Sequence, residues 1–145
     1  MTYSGFKSYL YAGLSPRDPR VTAALGWISA NYTVEKNPGL GTDGMYYYYV
    51  VFARALEASG LEMVPRNDRS GDRSHQDRSH QSQGHDWRAD LVERLATLQN
   101  EDGSFRSVDD RWMENDPVLI TAYALIALRH AAGDARGPER GTPAP

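Results

Sequence analysis

The sequence has no cysteine among its 145 residues. That excludes disulfides, a thiolate zinc site and a cysteine nucleophile, and it leaves the redox compartment unread. No apolar run approaches the roughly 18 residues a membrane-spanning helix needs. The first residues lack the charged-then-apolar order of a signal peptide. Basic charge is not in excess, since 16 Lys and Arg face 19 Asp and Glu for a net charge of −3. Such a balance exerts no pull on nucleic acid or anionic lipid. Strand-type alternation is scarce as well, and only Ser104 to Val108 hints at a minor turn or hairpin. What is present, 40% hydrophobic and 24% charged residues, suffices for a globular core. The length predicts one domain, or a piece of one.

Two stretches fall outside that core. Residues 66–86 contain DRSHQ twice in tandem, and their four arginines balance four aspartates with no large apolar side chain. Such a segment cannot bury enough surface to offset its chain entropy, so a disordered insert is predicted. The tail, 133–145, reads as a frayed end for the same reason. The remainder, within 1–132, reads as helix throughout, and the predicted class is all-α with about five helices.

The first helix, Thr2 to Leu14, stacks Tyr3, Phe6, Leu10 and Leu14 on one face. The second begins at Asp18-Pro19, a good N-cap followed by the residue suited to a first turn. Its stripe is Val21, Leu25, Ile28 and Tyr32. After the break at Asn37-Pro38-Gly39, a third helix spans about Asp43 to Ser59, with Gly60 as its C-cap. Asp86 caps a fourth helix carrying Trp87, Leu91, Leu95 and Leu98. Asp116-Pro117 opens the fifth, which continues to Gly133.

These helices fall into pairs. Ala55-Leu56 and Ala127-Leu128 occupy equivalent places 72 positions apart, a period of about 50 once the insert is set aside. In each pair the second helix is the more apolar. A helix apolar nearly all round is sheltered and one with a charged face is outer. Inner helices are therefore predicted at 2–14, 43–59 and 116–131, and outer helices at 18–32 and 86–99.

The stretch Leu98-Gln99-Asn100-Glu101-Asp102-Gly103-Ser104-Phe105 resembles the repeat signature of squalene–hopene cyclases and protein prenyltransferase β subunits, with Phe105 where Trp is usual. Asp116 to Leu125 resembles an inner helix of the C-terminal repeats of those cyclases. The signature residues are Gln99, Asp102, Gly103 and Phe105. The Gln amide has a donor and an acceptor to tie one helix end to the next helix start. Gly103 supplies the turn, and the aromatic packs beneath it. The resemblance implies an α/α toroid of about six helical hairpins. This chain holds two and a half, and Met1 opens an inner helix without its outer partner. A C-terminal fragment of a longer protein is therefore expected, itself inactive, with an exposed apolar face that favours self-association. The parent is expected to bind or cyclise an isoprenoid, a large apolar ligand. The other reading is a non-catalytic scaffold module, since fold does not fix function.

The resemblance also points to a lining. In those cyclases aromatic faces stabilise carbocations, an instance of cation–π attraction. Tyr46-Tyr47-Tyr48-Tyr49 heads an inner helix, but four consecutive residues point in four directions, and only one or two can face a cavity. Tyr46, Tyr49, Trp112 and Tyr123 are the candidate substrate-binding residues, against the alternative that they pack. Trp112 can close a cavity mouth with Glu114 and Asp116 at its rim, or serve as a plug while Asp116 caps a helix. Ser107-Val108-Asp109-Asp110 resembles the cyclases' acidic motif but has Ser first and does not run into the Thr-Ala of the inner helix. No catalytic residue is assigned. No cofactor is called for either. Without cysteine, the Asp, Cys and His zinc site of prenyltransferases has no support, and no metal ligands are assigned. Gly39 to Gly44 spells G-x-G-x-x-G, yet no strand precedes it, so it reads as a turn. His75, His80 and His85 lie in the insert, where loose metal binding competes with simple repeat expansion. Asn31-Tyr32-Thr33 is a glycosylation sequon only in a secreted chain.

Overall fold

A computed structural model describes residues 2–66, 84–107 and 110–133 of the chain. It is mostly helical. Five helices, α1 (Thr2–Tyr11), α2 (Pro19–Ala30), α3 (Met45–Ser59), α4 (Trp87–Leu98) and α5 (Pro117–Ala132), follow one another. Two short strands, β1 (Val64–Pro65) and β2 (Gly84–His85), lie between α3 and α4, and a 3₁₀ turn, Arg111–Met113, precedes α5.

Three helices begin as their sequences dictate. The carboxylates of Asp18, Asp86 and Asp116 accept N–H bonds from the first turns of α2, α4 and α5. Each removes a donor that the helix itself cannot satisfy. Pro19 and Pro117 fill first-turn positions where no N–H is needed. Helix α3 ends on Gly60 at φ 69, in the left-handed conformation glycine tolerates best.

Other expectations need correction. The first helix stops at Tyr11 rather than Leu14. Leu14 N–H bonds Tyr9 C=O at 3.1 Å and Gly13 N–H bonds Leu10 C=O at 3.0 Å, a Schellman closure around Gly13 at φ 75. At the C-terminal end of the predicted 66–86 insert, residues 84–86 belong to the folded part. Gly84-His85 pairs antiparallel with Val64-Pro65, a contact too short to leave any alternation in the sequence. A Cβ on Gly84 would lie 2.8 Å from the Val64 carbonyl oxygen, so glycine is what allows the pairing. The DRSHQ repeats with His75 and His80, and the tail from 134 onward, lie outside the described residues.

Helix α3 is central. It packs along α1 on one side and α5 on the other, while α2 lies against α1 and α4 against α5. Tyr49, Phe52, Ala53, Ala55 and Leu56 of α3 are wholly enclosed. Trp87 fills the space between α3 and the strands, edge-on to Phe52 with centroids 6.1 Å apart. Its indole N–H is satisfied by Leu61 C=O at 2.7 Å, as a buried Trp requires. Helix α5 is not sheltered all round, contrary to its apolar sequence. Ile120, Ala124, Ala127 and Ala131 face inward, but Val118 is 78% and Leu125 58% exposed. Among the described residues, no helix is long and apolar enough to cross a membrane.

Candidate functional site: an aromatic-lined cavity

The site is organised by the start of α3. Gly44 occupies the N-cap at φ 65 and has no side chain to offer the first N–H groups. A remote carboxylate does this instead. Glu114, 1% exposed, accepts from the N–H groups of Tyr46 and Tyr47 through Oε1, at 3.0 and 3.1 Å. A carboxylate thus sits at the positive end of α3.

Glu114 is brought there by the preceding turn. Trp112 and Met113 both adopt left-handed backbone, at φ 57 and φ 65. Such conformations cost about 1–3 kcal/mol each in residues with side chains, and the surroundings must over-determine them. Here they do. The Arg111 guanidinium lies 4.5 Å from the centre of the Trp112 ring and bonds Asp43 at 2.8 Å. The other constraint is Gly44, where an added Cβ would stand 2.9 Å from Trp112 Cζ3. The absent side chain of one residue makes room for the ring of the other.

The result is a cavity of about 390 Å³ between the beginnings of α1 and α3. Six aromatic residues from five segments line it: Tyr3, Trp27, Tyr47, Tyr48, Trp112 and Tyr123. Tyr47 and Tyr123 meet edge to face with centroids 6.1 Å apart, as do Tyr3 and Tyr48 at 5.7 Å. Asn37 also borders it, and its amide donates to Asp43 C=O at 2.9 Å, fixing the 37–44 loop. The volume falls in the roughly 300–1,000 Å³ range of small-molecule sites, and apolar walls with a few polar groups are their usual character.

Burial governs the tyrosines. It pushes the Tyr3 hydroxyl up to about 12, with the neighbouring Tyr48 pulling slightly the other way. Tyr48 is raised further, by burial and then by Tyr3 beside it, and it donates to Thr33 C=O at 2.7 Å. These are packing groups with satisfied or enclosed hydroxyls rather than acids poised for proton transfer.

Of the candidate binding residues, Trp112 and Tyr123 line the cavity. Tyr46 and Tyr49 do not. Their shared face turns towards other loops, where Tyr46 donates to Arg106 C=O at 3.2 Å and Tyr49 to Val34 C=O at 2.9 Å. Tyr47 and Tyr48 take the cavity side. Glu114 lines the cavity too, but as a buried cap of α3 and not as an exposed rim, and Asp116 caps α5 away from the lining. Trp27 lies off the Val21–Ile28 stripe of α2. An aromatic out of register with its helix's apolar face was the signal available for it.

The signature loop also differs from its expected role. Gln99 donates to Gly103 C=O at 3.0 Å, so its amide closes its own loop and does not reach the next helix. The tie to α5 is Phe105 N–H to Thr121 Oγ1, at 3.1 Å. Asp102 accepts from Ser104 N–H and Oγ, which hold its carboxyl below the usual range. Gly103 turns at φ 82, and Phe105 is buried against Tyr46. Val108 and Asp109 of the acidic stretch lie outside the described residues, and Asp110 does not line the cavity.

His85 is ordered, not part of a loose insert. It stacks on Tyr32 at 4.1 Å, and Tyr32 donates to Asp90 at 2.7 Å. Among the described residues, no group of three acidic or histidine side chains is placed to hold a metal. Compared with protein families, curated proteins and solved structures, the chain matches none.

Proposed function

We propose that the chain is a run of helical-hairpin repeats of the squalene-cyclase and prenyltransferase-β type, part of a larger array, and that its cavity receives a small apolar molecule. An isoprenoid chain is the class that the signature Gln99, Asp102, Gly103 and Phe105 suggests. The observation that carries the reading is the cavity itself: six aromatic side chains gathered from five segments, one of them on a strained turn. Strained backbone persists where a site needs it. The succession of α1, α3 and α5 along one another, with α2 and α4 flanking, supports the repeat reading. Glu114, the one carboxyl among the described lining residues, is engaged in capping α3, so binding rather than turnover is proposed for this chain.

Thermal unfolding with farnesol or geranylgeraniol tests this. A ligand present at about 100 times its Kd adds about 2.7 kcal/mol to stability. A saturable rise in Tm supports the reading, and an unchanged Tm at the solubility limit contradicts it.

A second reading has its own observation. Val118 and Leu125 form an exposed apolar strip on α5, bordered by Ser104 and Pro117. A scaffold module that stacks further repeats, or copies of itself, would cover this strip. Concentration-dependent mass with an empty cavity would favour it over ligand binding.

A further inference from the structure

We infer that the group entering the cavity carries a permanent positive charge, an alkylammonium of the trimethyl type, and that it is bound there without being transformed. The inference rests on the reading that the cavity holds a small organic guest. It goes further by placing a cationic head on the end of that guest's apolar chain.

The first ground is the composition of the wall. Apart from tyrosine, the lining contains one ionisable residue, the carboxylate of Glu114, and no Lys, Arg or His among the described residues. The second is the number of π faces. An aromatic ring attracts a cation through the negative potential of its face, most strongly for Trp, and the attraction grows as water is excluded. Trp27, Tyr47, Trp112 and Tyr123 all border the space and are partly exposed. A trimethylammonium head is nearly spherical and spreads its charge over its methyl groups. It can therefore touch several rings at once and needs no hydrogen-bond acceptor. A primary ammonium, by contrast, loses strong hydration on entering such walls.

The third ground is that the molecule already uses this chemistry at the same ring. Arg111 lies over Trp112 at 4.5 Å, so one face of the indole already holds a cation. Arg111 itself is matched by Asp43 at 2.8 Å, and its charge is thereby offset near the cavity. The opposing influences are the positive ends of α1 and α3, each about half a charge. Glu114 is bonded to the end of α3. The end of α1, at Thr2 to Ser4, borders the same space as the six aromatic residues.

Three probes of one shape separate the possibilities. Choline, neohexyl alcohol and tert-butylacetate share a branched head and differ in charge. Each is titrated into the full chain, with Trp fluorescence as the readout. Choline is expected to bind on the order of tenfold tighter than the neutral alcohol. Equal affinities for choline and the alcohol would overturn the inference and leave the cavity reading intact. Preference for the carboxylate would overturn it in favour of the α1 end. No binding of any probe would sink both. Trp112→Leu keeps apolar area but removes a π face, and it should cut the preference for choline over the alcohol severalfold. An unchanged preference in folded Trp112→Leu protein would place the cation elsewhere and overturn the assignment. Tyr47→Leu, at a half-exposed position, serves the same purpose should Trp112→Leu fail to fold.

Discussion

Glu114 accepts the N–H of Tyr46 at 3.0 Å across 68 positions of sequence, and so caps a helix it does not belong to. This contact joins the start of α3 to the turn before α5. Glu114→Ala leaves two first-turn N–H groups unmet in a buried place and opens a void. A loss of about 2–4 kcal/mol is expected in urea unfolding. Glu114→Gln keeps an acceptor in place and should lose about half of that or less. Equal losses would mean that charge, not the bond, matters.

Gly44 and Trp112 form a second coupled pair. Gly44→Ala adds a Cβ at φ 65 and 2.9 Å from the indole ring. It should cost about 1–3 kcal/mol and displace Trp112 towards solvent, shifting the fluorescence to the red. The double variant Gly44→Ala with Trp112→Ala should recover part of the loss, because the clash is gone and only the backbone strain remains. Strict additivity would contradict the coupling.

High pH should unfold the protein through its tyrosines. Burial raises Tyr3 and Tyr46 to about 12 and raises Tyr48 and Tyr49 above their ordinary value. The folded chain therefore keeps protons that the unfolded chain releases from about pH 10. The stabilising contribution is complete below pH 10 and is lost as pH climbs towards 12. The expected slope is about 1.4 kcal/mol per pH unit for each such tyrosine. Tyrosinate absorbance should rise for this group together with the loss of helical circular dichroism. Titration of all nine tyrosines before any helix is lost would contradict the burial.

The signature loop is expected to split in its energetics. Gln99 is exposed and bonds within its own turn, so Gln99→Ala should cost about 0.5–1 kcal/mol. Phe105 is enclosed, and Phe105→Ala should cost about 3–5 kcal/mol. The reverse order in urea unfolding would restore the interhelix role for the glutamine.

Much of the frame was legible because it is local. Asp18, Asp86 and Asp116 each bond N–H groups two or three residues away, and the Asp-Pro pairs announce α2 and α5. Gly60 ends α3 by its own conformation. The cavity was legible only in part. A run such as Tyr46 to Tyr49 shows that a helix is ringed with phenols, but which face meets a void depends on neighbours from α1, α2 and the 112–114 turn. Periodicity holds no record of Glu114 capping α3, because the donor and acceptor are joined by tertiary structure alone. The pairing of Gly84-His85 with Val64-Pro65 was hidden for another reason, since two residues cannot show a period.

The three tryptophans provide the most direct test of the cavity as the binding site. Trp27 and Trp112 line it, whereas Trp87 is enclosed elsewhere with its indole N–H held by Leu61. In an NMR titration with farnesol or choline, two indole N–H resonances should move and saturate together while the third stays in place. Equal movement of all three, or movement of none, would contradict binding at this site.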